Sequence, residues 1–252
     1  PGSERGHQTA AIGAIPWRLF HALSRAKAIR ASPGKEVIVS YSSPVGTAFY
    51  ISQTLASAKT LSIVSNANPA LATSTSHGYS DNDEVVFFSG WDSANNTVFR
   101  VDQQSTDTFL LTGLNSTNTN AYAAGSGVGT TQKISSWIEI PQILSLNPSG
   151  GTPRYIDVRP VKSLQGLKLP DGFDAATIGF DIGFDPSLSN WATLLDISRS
   201  GTLVAYKSVK ASGAATYGYG YFSMSEAPTQ ASGAADKVQA TFAAQGRLIS
   251  YS

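Results

Sequence analysis

From Val37 onward apolar and polar residues alternate in short runs, the period of two that sends successive side chains to opposite faces of a β-strand. Val37-Ile38-Val39 alternates into Tyr41. Further runs follow at Leu61–Val64, Glu84–Phe88, Thr97–Val101 and Thr108–Leu111. Between them lie Asn66-Ala67-Asn68-Pro69, the stretch Ser76–Asp83 and Asp92–Asn96, all rich in residues that favour turns. Such closely spaced strands predict a small β unit over about residues 60–114.

Residues 115–131 have no apolar period and consist largely of Gly, Ser, Thr and Asn, the composition of a flexible return connection. A second β unit begins at Ile134. Trp137, Glu139 and Pro141 alternate with Ile138, Ile140 and Ile143, and Tyr155, Asp157 and Arg159 with Ile156, Val158 and Pro160. Another strand is expected over Ala176–Phe184, and more at Leu203–Val209, Tyr217–Glu226 and Val238–Leu248. One helix interrupts them, over 185–200. Asp185 is its expected cap and Pro186 its first residue, with Leu188, Trp191, Leu194 and Leu195 forming a stripe at spacings of three and four before Gly201 ends it. The expected class is mainly β, an antiparallel sandwich or barrel with one flanking helix and a small inserted β domain.

Residues 1–36 follow another rule. Ile15, Leu19, Leu23 and Ile29 fall roughly on one helical face, with Arg18, Arg25 and Arg30 around the remainder, up to the breaker Ser32-Pro33-Gly34. Three readings stay open: an extension outside the main fold, an arm that docks on a neighbouring copy, or a membrane or targeting sequence. The expected organisation is therefore a basic extension at 1–36, a sandwich built from 37–60 and 131–252, and a small β domain with its linker at 61–130.

Composition changes this picture in two places. Only 14% of the 252 residues are charged, well below the roughly 25% of an average soluble domain, so surfaces rich in Ser, Thr, Asn and Gly stand where charge is usual. The net charge of +1 also hides an asymmetry: residues 1–36 carry six basic and two acidic side chains, and residues 37–252 carry 12 basic and 15 acidic ones. The β body is thus acidic on balance, and its cations do not cluster with aromatics as a nucleic-acid surface requires. No stretch reaches the 18 or so apolar residues of a membrane helix, so a soluble chain or a subunit of a soluble assembly is expected.

Candidate chemistry is sparse. With zero cysteines there are no disulfides, thiolate metal sites or cysteine nucleophiles. His7, His21 and His77 are scattered, and His77 is expected to be structural or solvated. Asp81-Asn82-Asp83-Glu84 offers oxygen ligands but lacks the glycine and the distal glutamate of a helical calcium loop, which leaves a hairpin turn. Asp171 with Asp174, or Asp181 with Asp185, are the pairs to weigh for glycoside hydrolysis. Against that, Asp185 suits a helix cap, Asp181 a polar strand position and Asp171-Gly172 a turn. Gly125-Ser126-Gly127-Val128-Gly129 has no following Gly-Lys-Ser and is no phosphate loop. The expectation is no catalytic residue, no cofactor and no metal. Tyr217, Tyr219 and Tyr221 share one strand face with Gly218 and Gly220 behind them, which fits a packed sheet face or subunit interface, or alternatively a carbohydrate platform.

The order of these motifs resembles a known group. Over 61–112, Asn66-Ala67-Asn68-Pro69, His77-Gly78, Asp83, Phe99-Arg100-Val101 and Asp107-Thr108-Phe109 resemble a small β domain that recurs in virion proteins of tailed phages. Asn82 stands where that domain commonly has Gly, a replacement that a left-handed turn tolerates. The Trp137-Ile138-Glu139-Ile140-Pro141 segment, the strand at 176–184, the helix and the ending from Glu226-Ala227-Pro228 to Arg247 are similar to the major tail tube protein of long, flexible, non-contractile phage tails. The resemblance covers about residues 44–250 and leaves 1–36 unmatched.

What it implies is a non-enzymatic virion subunit, assembled in the host bacterial cytoplasm. Hexameric rings would stack into a tube, with the inserted domain outside, and conduct double-stranded DNA without binding it specifically. Its partners would be further copies of itself and other tail proteins, with no membrane. The other reading is a non-catalytic surface-binding module, an adhesin or carbohydrate binder using the tyrosine face.

Overall fold

The computed structural model describes residues 45–162 and 164–252. The basic segment 1–36 and the Val37–Tyr41 run lie outside the described residues. Described strands are β1 (Ala48–Leu55), β2 (Lys59–Leu61), β3 (Ile63–Val64), β4 (Ala70–Thr73), β5 (Glu84–Ser89), β6 (Thr97–Gln103), β7 (Thr108–Thr112) and β8 (Gly129–Glu139). They continue with β9 (Ile143–Ser149), β10 (Pro153–Val158), β11 (Leu167–Phe173) and β12 (Thr177–Gly183). After helix α1 (Ser189–Ser200) come β13 (Leu203–Val209), β14 (Ala215–Met224), β15 (Lys237–Ala244) and β16 (Ile249–Tyr251).

All strands except β10 and β11 belong to one antiparallel sheet, in the order β3-β4-β7-β6-β5-β8-β1-β13-β14-β15-β12-β9, with β2 beside β8 and β16 beside β14. Strand β8 makes it continuous. Its first half, Gly129–Lys133, pairs with β5, and its second half, Ile134–Glu139, pairs with β1. Of the sandwich or barrel expected, the described residues form the sandwich, since the strand path stays open.

Three apolar clusters hold the layers. Ile51, Phe180, Tyr206, Phe222 and Phe242 pack with Trp191 and Leu194 of α1. Phe87, Phe99, Phe109 and Leu111 fill the smaller unit. Val86, Val98, Ala205, Tyr217 and Tyr219 lie where the two layers meet. The sequence pattern puts them there, because β14 buries both of its faces: Phe222 and Met224 toward the helix, Tyr217 and Tyr219 toward β5 and β6.

Several expectations need correction. The helix begins at Ser189, and its N-cap position is Leu188, which makes no side-chain cap. Asp185 instead folds the turn before it, its Oδ1 accepting from the Ser187 amide at 3.1 Å and the Ser187 hydroxyl at 2.6 Å. Gly201 does close the helix, in the left-handed conformation. The run at 61–64 is split at Ser62, whose amide donates to the Thr73 carbonyl.

Three strands had no clear sequence signal. In β1 and β4 the alternation is short or set directly behind a turn, and β11 contains Pro170 and Gly172, which normally argue against a strand. Leu167–Phe173 is nonetheless paired with β10. The Asp171-Gly172 dipeptide is a bulge rather than a turn: Pro153 faces Phe173 and Tyr155 faces Pro170, leaving Asp171 and Gly172 against Arg154 alone.

The return connection at 115–131 makes specific contacts, and its last residues, Gly129–Thr131, belong to β8. Ser116 is buried and its hydroxyl donates to the Ser65 carbonyl, while Asn66 Nδ2 donates to the carbonyls of Ser116 and Tyr122. Trp91 Nε1 donates to Ala123 O at 2.7 Å, and its ring meets Tyr122 edge-on. A Cβ on Gly127 would stand 2.6 Å from the Trp91 ring, so the tryptophan lying on the chain there explains that glycine.

Candidate assembly surface

The charged side chains with the densest contacts face inward. Glu84, at the start of β5, accepts from Tyr217 Oη at 2.6 Å and Lys207 Nζ at 2.8 Å through Oε1, and from Trp137 Nε1 at 2.7 Å through Oε2. Arg100 completes the junction. Its Nη2 donates to Tyr217 Oη at 2.8 Å, and its guanidinium lies 4.7 Å from the centre of the Tyr251 ring. Burial and donation to the Glu84 carboxylate both push the Tyr217 phenol upward in pKa. This cluster fastens β5 and β6 to β13 and β14. Sequence reasoning missed it, since Glu84, Arg100 and Lys207 sit far apart and each reads as a solvent-facing strand position.

The candidate carboxylates are engaged by cations and hydroxyls. Asp171 pairs with Arg154 at 2.7 Å, and Asp174 accepts from Thr152 Oγ1 at 2.7 Å and lies 3.9 Å from the same guanidinium. Asp181 accepts from Lys237 Nζ at 2.9 Å and Ser145 Oγ at 3.0 Å, and these donors lower its pKa. The Asp81–Glu84 segment folds as a turn with Asn82 at φ +66°. There Asp81 accepts from the Gln103 amide, and Asp83 accepts from the Ser80 amide and pairs with Lys133 at 2.7 Å. His77 is structural: its ring is buried against Phe109, with Nδ1 accepting from the Tyr79 amide and Nε2 facing Ser105 O. Among the described residues no group of three His, Asp or Glu converges as a metal site, and no helix is long and apolar enough to cross a membrane.

The tyrosine face is covered. Tyr217 and Tyr219 are 1% and 4% exposed, and Phe88 meets Tyr219 edge-on, so only Tyr221 reaches solvent. The packed-sheet-face reading therefore describes it, and the carbohydrate-platform reading has no surface to use.

Among the described residues, sheet edge and apolar surface are left uncovered. There, strand β9 pairs with β12 on one side only, and β8 beyond Lys133 has β1 on one side and no described strand on the other. Between β9 and the entry to β1 lies a groove of about 690 Å³, lined by Val45, Phe49, Ile140, Ile143, Leu144 and Leu146 among others, with Glu139 as its one charged residue. Leu146 faces Phe180 across the ladder and so points to the core side, yet it is 40% exposed.

The second uncovered feature is the β10–β11 hairpin. The two strands form a sheet of their own, and every residue in them is exposed. The hairpin leaves the β9–β12 ladder at Gly150 and Gly151, both left-handed, and a Cβ on Gly150 would lie 2.0 Å from the Ala175 carbonyl oxygen. Ile156 faces Leu169 and Val158 faces Leu167, which gathers four aliphatic side chains on one face. The other face carries Tyr155 and the Asp157–Lys168 pair at 2.9 Å. An apolar face of this kind is unusual on a chain that works alone.

Comparison with known proteins bears on these surfaces. A chain from a structure titled "Virion of native gene transfer agent (GTA) particle" is similar at 15% identity and a TM-score of 0.36, over 46% of this chain and 89% of that one. No curated protein matches. A family model described as phage tail tube protein, TTP, matches residues 89–252, from the end of β5 through β16. That match spans about two thirds of the sequence, including the helix, the exposed hairpin and the open strand β9: the chain belongs to the phage tail tube protein family.

Proposed function

We propose that this protein is a non-enzymatic structural subunit of the virion, polymerising as stacked hexameric rings into the tail tube that conducts double-stranded DNA during infection. The observation that carries this reading is a sandwich sheet that the described residues leave open at β9 and at the second half of β8. Open edges invite pairing with any exposed strand, and a closed ring of identical copies removes them. In this arrangement residues 61–130 form a small domain on the outside of a tube built from 37–60 and 131–252. Its partners are further copies and other tail proteins, assembled in the host cytoplasm, with no membrane involved.

The charge balance supports passage over binding. The 12 basic and 15 acidic residues of 37–252 give a β body that does not attract phosphate overall, and a wall of that sign lets DNA slide. Negative-stain microscopy of the purified chain at high concentration tests the reading. Rings or tubes with a central channel and sixfold averages are the expected result. A monomer at every concentration, or closed assemblies without a channel, would overturn it.

A further inference from the structure

We propose that the β10–β11 hairpin of one copy seats its Ile156, Val158, Leu167 and Leu169 face in the groove between β9 and the entry to β1 of a second copy. The inference rests on the assembly reading above and names the contact that propagates it.

The two surfaces match in kind. The hairpin offers four aliphatic side chains on a two-stranded sheet that no other described element backs, and the groove offers Phe49, Leu144 and Leu146 where the described sandwich is open. They also match in charge. Residues 153–173 carry Arg154, Arg159, Lys162 and Lys168 against Asp157 and Asp171, and Arg159 and Lys162 have no acidic partner among the described residues. The groove presents Glu139, whose carboxylate is likewise in none of the described ion pairs.

Position makes the contact one between copies. Strand β9 starts at the groove and ends at the hairpin base, and seven extended residues span about 20 Å. Among the described residues neither the hairpin face nor Leu144 and Leu146 of the groove is covered. Because hairpin and groove are different patches, each copy that receives an arm still offers its own. Repeated head to tail, such a contact yields rings or filaments.

The absence of cysteine allows a direct test. Full-length protein carrying Leu146→Cys and Val158→Cys, both at exposed positions, is oxidised after assembly and run on a non-reducing gel. A ladder of covalent oligomers is expected. A Leu146→Cys, Ile63→Cys chain, whose second thiol sits on the exposed surface of β3, is expected to give none. As a second measurement, Glu139→Lys should raise the concentration needed for assembly several-fold, and adding Lys162→Glu to the same chain should bring it back. Tubes that form without a ladder and without response to Glu139→Lys overturn the arm contact while leaving the tube intact, as does a ladder from both cysteine pairs. A chain that never assembles overturns both.

Discussion

Strand β14 and the β10–β11 hairpin carry the same kind of sequence and end in opposite surroundings. Tyr217-Gly218-Tyr219-Gly220-Tyr221 and Tyr155-Ile156-Asp157-Val158 each place large side chains at alternating positions, the pattern of a two-faced strand. On β14 the tyrosine face is covered by β5 and β6 and the opposite face by α1. On the hairpin every residue is open to solvent. Alternation thus specifies that a strand has two faces, and the rest of the chain decides whether it supplies the cover. Where it does, a substitution is felt in stability; where it does not, the proposed contact between copies predicts an effect on assembly.

The largest effect belongs to the helix side of β14. Trp191 is 4% exposed and meets Phe184 edge-on at 5.4 Å between ring centres. Trp191→Ala leaves a void in the core of the sandwich and should cost about 3–5 kcal/mol. Urea unfolding followed by fluorescence of the remaining tryptophans reads it. An unchanged midpoint would mean that the helix contributes little to covering the sheet.

On the other side of β14, Glu84→Ala should cost about 2–3 kcal/mol, because it removes the acceptor shared by Tyr217, Trp137 and Lys207 and leaves a half-buried ammonium without its partner. Glu84→Gln, which keeps an acceptor but not the charge, should fall between. Equal losses for the two variants would show that charge plays no part in fastening the layers.

A smaller, graded effect is expected with alkali. Burial pushes the Tyr206 phenol up to about 12 and moves Tyr217 in the same direction. A group whose folded pKa exceeds its unfolded value of 10.0 stabilises fully below that pH, and its contribution is lost as pH climbs through the folded value. The melting temperature should therefore hold to about pH 10 and fall beyond it, and Tyr206→Phe should flatten the fall. The same slope in the phenylalanine variant would assign it to other groups.

These particulars also mark how far the residues could be read without coordinates. The period of two found β5 to β8 and β12 to β15, and the stripe of Leu188, Trp191, Leu194 and Leu195 found the helix, because each buried face repeats at its own spacing. The pattern failed at β11, where a bulge absorbs Asp171 and Gly172, and at residues 115–128, where one tryptophan and one buried serine pin a polar segment. Both are contacts between distant positions, invisible to a local period. The Glu84 junction was hidden for the same reason, and so was the exposed apolar surface. Exposure of Ile156 or Leu146 is a property of what fails to pack on them, which no run of residues records.

The smallest change in stability should accompany the largest change in assembly. Ile156→Ser with Leu169→Ser alters two facing side chains on a sheet that buries neither of them, so the melting midpoint of the dilute monomer should move by no more than about 0.5 kcal/mol. The same variant removes the centre of the aliphatic face, and at high concentration it should give particles no larger than the subunit by light scattering. A control with Tyr155→Ser, on the opposite face of the hairpin, should assemble like the parent chain. If the double variant instead unfolds at lower denaturant, the hairpin is covered within its own chain and its contrast with β14 disappears. If it assembles normally, the cover that the exposed face lacks is not supplied by a second copy.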